Sequence, residues 1–177
     1  AGLSVARERE QGTFDQLLVT PLTPVEILVG KAVPPVLIGL AQVTAILMIS
    51  VLYFSVRMVG SLLTLYLVLL VFLISSAGIG LSISAVADRM QQVIVYCFVI
   101  LLPVILLSGM ATPIQNMPPA LQVLTCINPL RFAIEAVRRI YLEGAGVGTI
   151  FHDFIPMLAV ATLTLPAAAW LFRHKLL

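Results

Sequence analysis

Four stretches of the chain are long and almost unbroken in apolar character, at about 32–56, 62–86, 93–110 and 154–172, and none contains Asp, Glu, Lys, Arg or His. A helix crosses the roughly 30 Å hydrocarbon core of a bilayer with about 20 apolar residues. Backbone groups in lipid must be satisfied internally, so continuous runs of this length predict helices. The alternation of period two that marks a membrane barrel is absent. The pattern predicts an all-α, polytopic membrane helix bundle with four full spans. Residues 57–61 and 87–92 are short connectors, whereas 7–31 and 111–153 are polar enough to lie outside the spans and carry helical signals of their own. The organisation expected is 1–31 as the end of a preceding span and a cytoplasmic segment, 32–110 as three transmembrane helices, 111–153 as extracytoplasmic or re-entrant helices, and 154–177 as the last span with a cytoplasmic tail.

Composition sharpens the class. Of 177 residues 60% are hydrophobic and 10% charged, against about 25% charged in an average soluble domain. A mean hydropathy of +1.11 excludes an ordinary soluble enzyme and a disordered chain. The net charge of +2 is too small to point to a polyanion, so no nucleic-acid partner is expected. Cys97 and Cys126 lie in or beside apolar segments without paired spacing, which argues against a disulfide framework or a zinc site. Lys and Arg divide six (Arg7, Arg9, Lys31, Arg89, Arg173, Lys175) to four (Arg57, Arg131, Arg138, Arg139) between the two sides. The positive-inside rule then puts both chain ends in the cytoplasm. The chain opens on Ala1-Gly2-Leu3-Ser4-Val5 rather than Met, which reads as the tail of an apolar segment whose beginning is missing.

Three segments carry more than hydropathy. In Arg7-Glu8-Arg9-Glu10-Gln11-Gly12-Thr13-Phe14-Asp15-Gln16-Leu17-Leu18, Thr13 with Gln16 fits a capping box, as do Thr23 with Glu26 further on. Pro21 ends the short helix and Pro24 occupies the first position of the next. Phe14, Leu17 and Leu18 share one face. This short amphipathic helix reads either as an interfacial element in the headgroups or as a docking helix for a cytoplasmic partner. Second, Ser76, Gly80 and Ser84 are four apart and form a ridge of small residues suited to close helix packing in lipid.

The third segment is 111–153. Ser108-Gly109 and Pro113 break the third span, and Asn116-Met117-Pro118-Pro119 leads into a short apolar helix ending at Cys126. Asn128-Pro129 is an Asn cap with Pro in the first turn, and Gly144 is a good C-terminal stop. On the helix between them, Leu130, Ala133, Ile134, Val137, Ile140 and Tyr141 form an apolar stripe, and Arg131, Glu135, Arg138, Arg139 and Glu143 a charged face. Glu135 is at pairing distance in sequence from Arg131, Arg138 and Arg139. The connector is too apolar for a free loop and is expected to re-enter the outer leaflet or pack on the bundle.

No span carries the ionisable residue that ion coupling uses, and no G-x-x-x-x-G-K-[ST] phosphate loop is present. His152-Asp153 reads as a loop pair rather than a catalytic dyad. Transport, if this chain performs it, takes its energy from a partner or from sequence outside the chain.

The stretches 7–22 and 24–31, with Leu107-Ser108-Gly109, Pro113, Asn116-Met117-Pro118 and Asn128-Pro129-Leu130-Arg131-Phe132, resemble in order and spacing the membrane subunits of type-2 ATP-binding-cassette (ABC) exporters, among them the bacterial multidrug-type permeases. The resemblance implies a six-span subunit of which the first span and a large extracytoplasmic insertion are missing here. It implies that Arg7, Glu8, Arg9, Glu10, Gly12, Thr13, Phe14, Asp15, Gln16, Leu17 and Leu18 belong to a coupling helix that contacts a nucleotide-binding ATPase subunit, so docking becomes the favoured role of that helix. It implies that Ser108, Gly109, Pro113, Asn116, Pro118, Asn128, Pro129, Arg131, Glu135 and Arg138 belong to re-entrant helices that gate the exit. ATP and Mg would be bound by the ATPase and no cofactor by this chain; a second membrane subunit would complete a homo- or heterodimer. The localisation implied is a bacterial inner membrane. An apolar lining with scattered Gln42, Thr44, Ser50, Thr64 and Ser108 suits a hydrophobic or amphipathic substrate. The residues by themselves also allow a passive channel or facilitator, or a structural anchor subunit assembled through the Ser76–Gly80–Ser84 ridge. A membrane-embedded enzyme would need a convergent acid, base or metal cluster, which the sequence does not offer.

Overall fold

A computed structural model of the chain describes residues 2–12, 24–55, 58–87, 89–110 and 112–174. These form helices α1 (Gly2–Glu10), α2 (Pro24–Leu52), α3 (Leu62–Val86), α4 (Met90–Leu106), a 3-10 turn (Ile114–Asn116), α5 (Pro119–Thr125), α6 (Pro129–Glu143) and α7 (Val147–His174), with no strand among the described residues. The all-helical bundle expected from hydropathy is therefore present. Three helices, α2, α3 and α7, are long and apolar enough to cross a membrane. The apolar helix α4 has 17 residues, about 25 Å at 1.5 Å per residue, and falls short of the core thickness.

The boundaries differ from the apolar runs in instructive ways. Only α3 coincides with its run. The first run, at 32–56, overlaps a helix that starts earlier, at Pro24, continues through Pro34 and Pro35 and ends earlier, at Leu52; membrane helices accommodate proline because side chains and neighbours re-satisfy the freed carbonyls. The third run ends early because Gly109 takes a left-handed φ of 83°, so the helix stops at Leu106 and 107–110 form a turn. The last run, at 154–172, is the apolar part of a helix that begins at Val147. The connector assigned to 111–153 accordingly loses its last seven residues to α7, and His152-Asp153 lie on a helix, not in a loop.

The core is divided between the two ends of the bundle. At one end Leu65 and Val68 of α3 meet Phe132, Ala133, Ala136 and Ile140 of α6 and Ile150, Phe154 and Met157 of α7. At the other, Leu81 and Ala85 of α3 pack with Val5 of α1, Leu28 of α2 and Ala168 of α7, and Ala6 and Ala87 pack with Val93 at the start of α4. The α3–α7 pair is the main seam; the two helices run parallel, Leu65 and Val68 lying near Ile150 and Phe154 and Leu81 near Ala168, so the seam reaches both ends. The outer faces of α2 and α4, including Leu37, Ile46, Phe98 and Leu102, are exposed on the chain; in a bilayer such faces meet lipid or another subunit.

The turn before α3 is held tightly on α6. The Val59 N–H lies 3.4 Å from the Tyr141 carbonyl oxygen, and a Cβ added to Gly60 would sit 2.5 Å from the Ile140 carbonyl oxygen. Nothing surrounds a Cβ added to Gly30. We expect Gly60→Ala to lower the stability of the protein by about 1–3 kcal/mol through overpacking against backbone. Gly30→Ala should be neutral or stabilising by up to about 1 kcal/mol from helix propensity. Chemical unfolding of both variants in the same detergent checks the pair, and equal midpoints would refute the close approach.

Candidate functional site

Two sets of polar residues stand at opposite ends of the bundle. At the first, α1 ends beside the starts of α2 and α4. Glu8 pairs with Lys31 of α2, both half-buried. The Glu10 carboxylate accepts the Met90 backbone N–H at 2.8 Å. Arg89, at the N-cap of α4, provides no side-chain cap, so an acid from a neighbouring helix supplies the negative charge that a helix start favours. Arg7 is exposed, and Gly12 takes a φ of 67° in the left-handed region. Of the residues expected in the coupling helix, Thr13, Phe14, Asp15, Gln16, Leu17 and Leu18 lie outside the described residues, as does the side chain of Arg9.

At the other end the chain folds back. Helices α5 and α6 meet at 80°, and Asn128 makes the corner. It is buried, its Oδ1 accepts the Leu130 N–H at 3.0 Å, and its Nδ2 donates to the Val104 carbonyl oxygen at 2.7 Å. One side chain therefore caps α6 and satisfies a carbonyl in the last turn of α4, which no partner inside that helix reaches. Pro129 opens α6, and Gly144 closes it with a φ of 66°. Ser108, 2% exposed, donates to the Ile105 carbonyl at 2.7 Å and lies 3.3 Å from the Met110 N–H. Pro113 and Pro118 flank the 3-10 turn that contains Asn116.

The charged face of α6 lines a cavity of about 740 Å³, closed on its other sides by Ser108, Gly109, Pro113, Gln115 and Gln122. Glu135 makes no ion pair among the described residues. Arg139 turns instead to Glu143, at 3.6 Å, and across to Asp153 of α7, at 3.5 Å. Asp153 is only 5% exposed and is the acid that offsets Arg139. Neither residue stood among the expected gate residues; an acid at the mouth of an apolar run, opposite an arginine-bearing helix, is the signal that would have marked them. The apolar stripe of α6 is also rotated from the expected one. Phe132, Ala133, Ala136 and Ile140 are buried in the core, whereas Ile134 faces the cavity.

The small-residue ridge is shared among neighbours rather than forming one face. Ser76 is exposed, while Gly80 and Ser84 lie beside Gly2 of α1, where a Cβ would stand 2.6 Å from the Gly80 carbonyl oxygen. The close face toward α7 is Gly78 and Ser82: a side chain at Gly78 would overlap the Thr164 hydroxyl, and Ser82 donates to the Thr164 carbonyl at 3.0 Å. The scattered polar groups do not converge on one lining. Thr44 and Tyr66 hydrogen-bond each other at 2.7 Å, Gln42 is exposed and Thr64 is buried. A groove of about 710 Å³ between α2, α3 and α7 is lined only by apolar residues, among them Leu28, Val36, Leu40, Leu70, Ile74 and Leu165.

A bundle of apolar helices with a helical corner at one end and a polar anchor at the other has the make-up of a membrane-embedded protein. Residues 1–142 match the ABC-2 type transporter family, and the chain belongs to that family. It is 42% identical over 175 residues to the probable multidrug ABC transporter permease YbhR of Escherichia coli, covering 99% of this chain and 48% of the relative. It is 34% identical over 143 residues to the probable multidrug ABC transporter permease YbhS, covering 80% of this chain and 38% of the relative. It is 29% identical over 177 residues to the inner membrane transport permease YhhJ, covering 99% and 47%. The chain thus spans about half the length of the curated relatives it matches. No solved structure matches it significantly.

The corner is testable. Asn128→Ala removes a helix cap, a loss of about 0.5–2 kcal/mol, and leaves the Val104 carbonyl without its donor. Asn128→Asp keeps the cap acceptor but turns an acceptor toward that carbonyl. Both variants should unfold earlier than wild type in a thermal melt, and protease should cut faster between α4 and α6. An unchanged melt for both would mean that Asn128 does not hold the corner.

Proposed function

We propose that this chain forms part of the transmembrane subunit of an ATP-driven exporter that moves a hydrophobic or amphipathic molecule, drug-like or lipid-like, out of the cytoplasm. Membership of the ABC-2 type transporter family carries the reading; the multidrug permease names of YbhR and YbhS suggest the substrate class. In this reading a separate nucleotide-binding ATPase holds ATP and Mg, a second membrane subunit completes the pathway, and the protein lies in a bacterial inner membrane with its C-terminus in the cytoplasm. The α1 end is then cytoplasmic, and the cavity beside α6 opens toward the outside.

The route of coupling follows from the helices. Segment 13–23, with the expected contact residues Phe14 and Leu17, leaves α1 just after the two acids that are tied to α2 and α4, and re-enters at the start of α2. A push on that segment is delivered to three helices at once. A rigid-body shift of packed helices is an established way for such a push to reach a distant gate.

Two experiments test this. The full permease, reconstituted with its ATPase, should hydrolyse ATP faster in the presence of lipophilic cations or amphiphiles; stimulation by a hydrophilic polymer alone would sink the substrate class, and flux without nucleotide would favour a passive channel. Changing Phe14 and Leu17 together to Asp should abolish co-purification of the ATPase while leaving the thermal melt of the membrane subunit unchanged. An ATPase that still co-purifies would show that docking lies elsewhere.

A further inference from the structure

We infer that the cavity beside α6 is a binding site for a zwitterionic amphiphile, one whose phosphodiester lies against Arg131 and Arg138 and whose ammonium faces Glu135. Outward placement of the cavity rests on the exporter reading; the binding chemistry does not.

The charges on the cavity wall sort into two groups. Arg139, Glu143 and Asp153 satisfy one another. Arg131, Glu135 and Arg138 make no ion pair among the described residues, although they share one face of α6 and line the same space. Arg131 is the most buried of the three. Its Nη1 donates to the Thr125 hydroxyl and stands 3.7 Å from the Cys126 Sγ, and its guanidinium lies 5.4 Å from the centre of the Phe132 ring. Its Nε is buried without any hydrogen-bond partner. Arginine cannot lose its proton to relieve burial, and a desolvated cation without an anion is costly. The missing partner is an oxyanion, for which the guanidinium fork has the matching geometry. Glu135, one turn from both arginines and exposed, supplies the opposite charge; a fully anionic ligand would meet it unfavourably, whereas an ammonium beside the phosphate is matched.

The surroundings specify an amphiphile. About 740 Å³ is within the range of small-molecule sites. Gln122 of α5 lines the cavity, while Val123, Leu124 and Ile127 beside it are exposed apolar residues. A headgroup seated among the α6 charges therefore has an apolar surface next to it for its chains.

The test uses the full permease in an uncharged detergent, titrated with short-chain phosphatidylethanolamine, phosphatidylglycerol and diacylglycerol, and with free glycerophosphoethanolamine, with bound molecules counted by native mass spectrometry. Phosphatidylethanolamine should bind best and diacylglycerol least. Arg131→Gln should weaken phosphatidylethanolamine by about tenfold, as expected for a lost hydrogen bond to a charged group. Arg138→Gln, at an exposed position that threatens no packing, should weaken it in the same direction. Glu135→Gln should abolish the preference over phosphatidylglycerol. Free glycerophosphoethanolamine binding as tightly as the lipid would assign the site to a soluble zwitterion of the same chemistry and overturn the amphiphile; much weaker binding assigns it to a lipid or lipid-like cargo. Equal binding of all three lipids, or unchanged affinity in both arginine variants, overturns the site; tighter phosphatidylglycerol overturns the zwitterion. None of these readouts uses ATP hydrolysis, so failure here is distinguishable from failure of the exporter reading.

Discussion

The close approach of α3 and α7 is the constraint on which the rest of the bundle depends. In lipid no hydrophobic force drives helices together, because the surrounding tails are as apolar as the side chains; van der Waals contact and hydrogen bonds between backbones that come close must do it. Gly78 provides the approach, since any side chain there would meet the Thr164 hydroxyl, and Ser82 bonds both the Gly78 and the Thr164 carbonyls. Helices α1, α2, α4 and α6 all pack on this pair. Helix α6 lies over Leu65, Val68, Phe154 and Met157 at one end; α1 and the start of α2 lie over Leu81 and Ala168 at the other.

Charge is distributed so that this seam stays dry. The ion pairs sit at its ends: Glu8 with Lys31 near α1, and Arg139 with Asp153 and Glu143 near α6. A buried acid such as Asp153 would be expensive alone, and removing its partner would strand the charge. The pair also fixes direction, because Arg139 is on α6 and Asp153 on α7. The helix that carries the cavity's charged face is therefore tied to the helix that runs the full length of the bundle.

Much of this was legible in sequence, and the failures share a cause. Helix α3 was read to the residue because both of its ends are polar turns. The Asn128-Pro129 start and the Gly144 stop of α6 were read correctly because caps are local chemistry. Hydropathy, however, marks where a helix is greasy, not where it is helical. So α2 and α7 proved longer than their apolar runs, and α4 shorter because one glycine takes a left-handed turn. The three-way sharing of the Ser76–Gly80–Ser84 ridge, and the use of Gly78 and Ser82 for the closest seam, depend on which neighbour lies where. No period within one helix encodes that. The same holds for Arg139, whose sequence neighbour Glu135 lost to Asp153, fourteen residues away and on another helix.

That last competition bears on how the two ends communicate. Had Arg139 paired with Glu135, α6 would have had no ion pair to α7. Pairing with Asp153 instead leaves Glu135 and two arginines facing the cavity and couples α6 to α7. Helix α7 packs at its far end against Leu81 and Val5, beside the helix whose Glu8 and Glu10 hold the starts of α2 and α4. Helix α1 therefore rests on the same α3–α7 seam that Arg139 and Asp153 tie to α6. Helices α2 and α4 keep much of their apolar surface outward, which in a bilayer faces lipid.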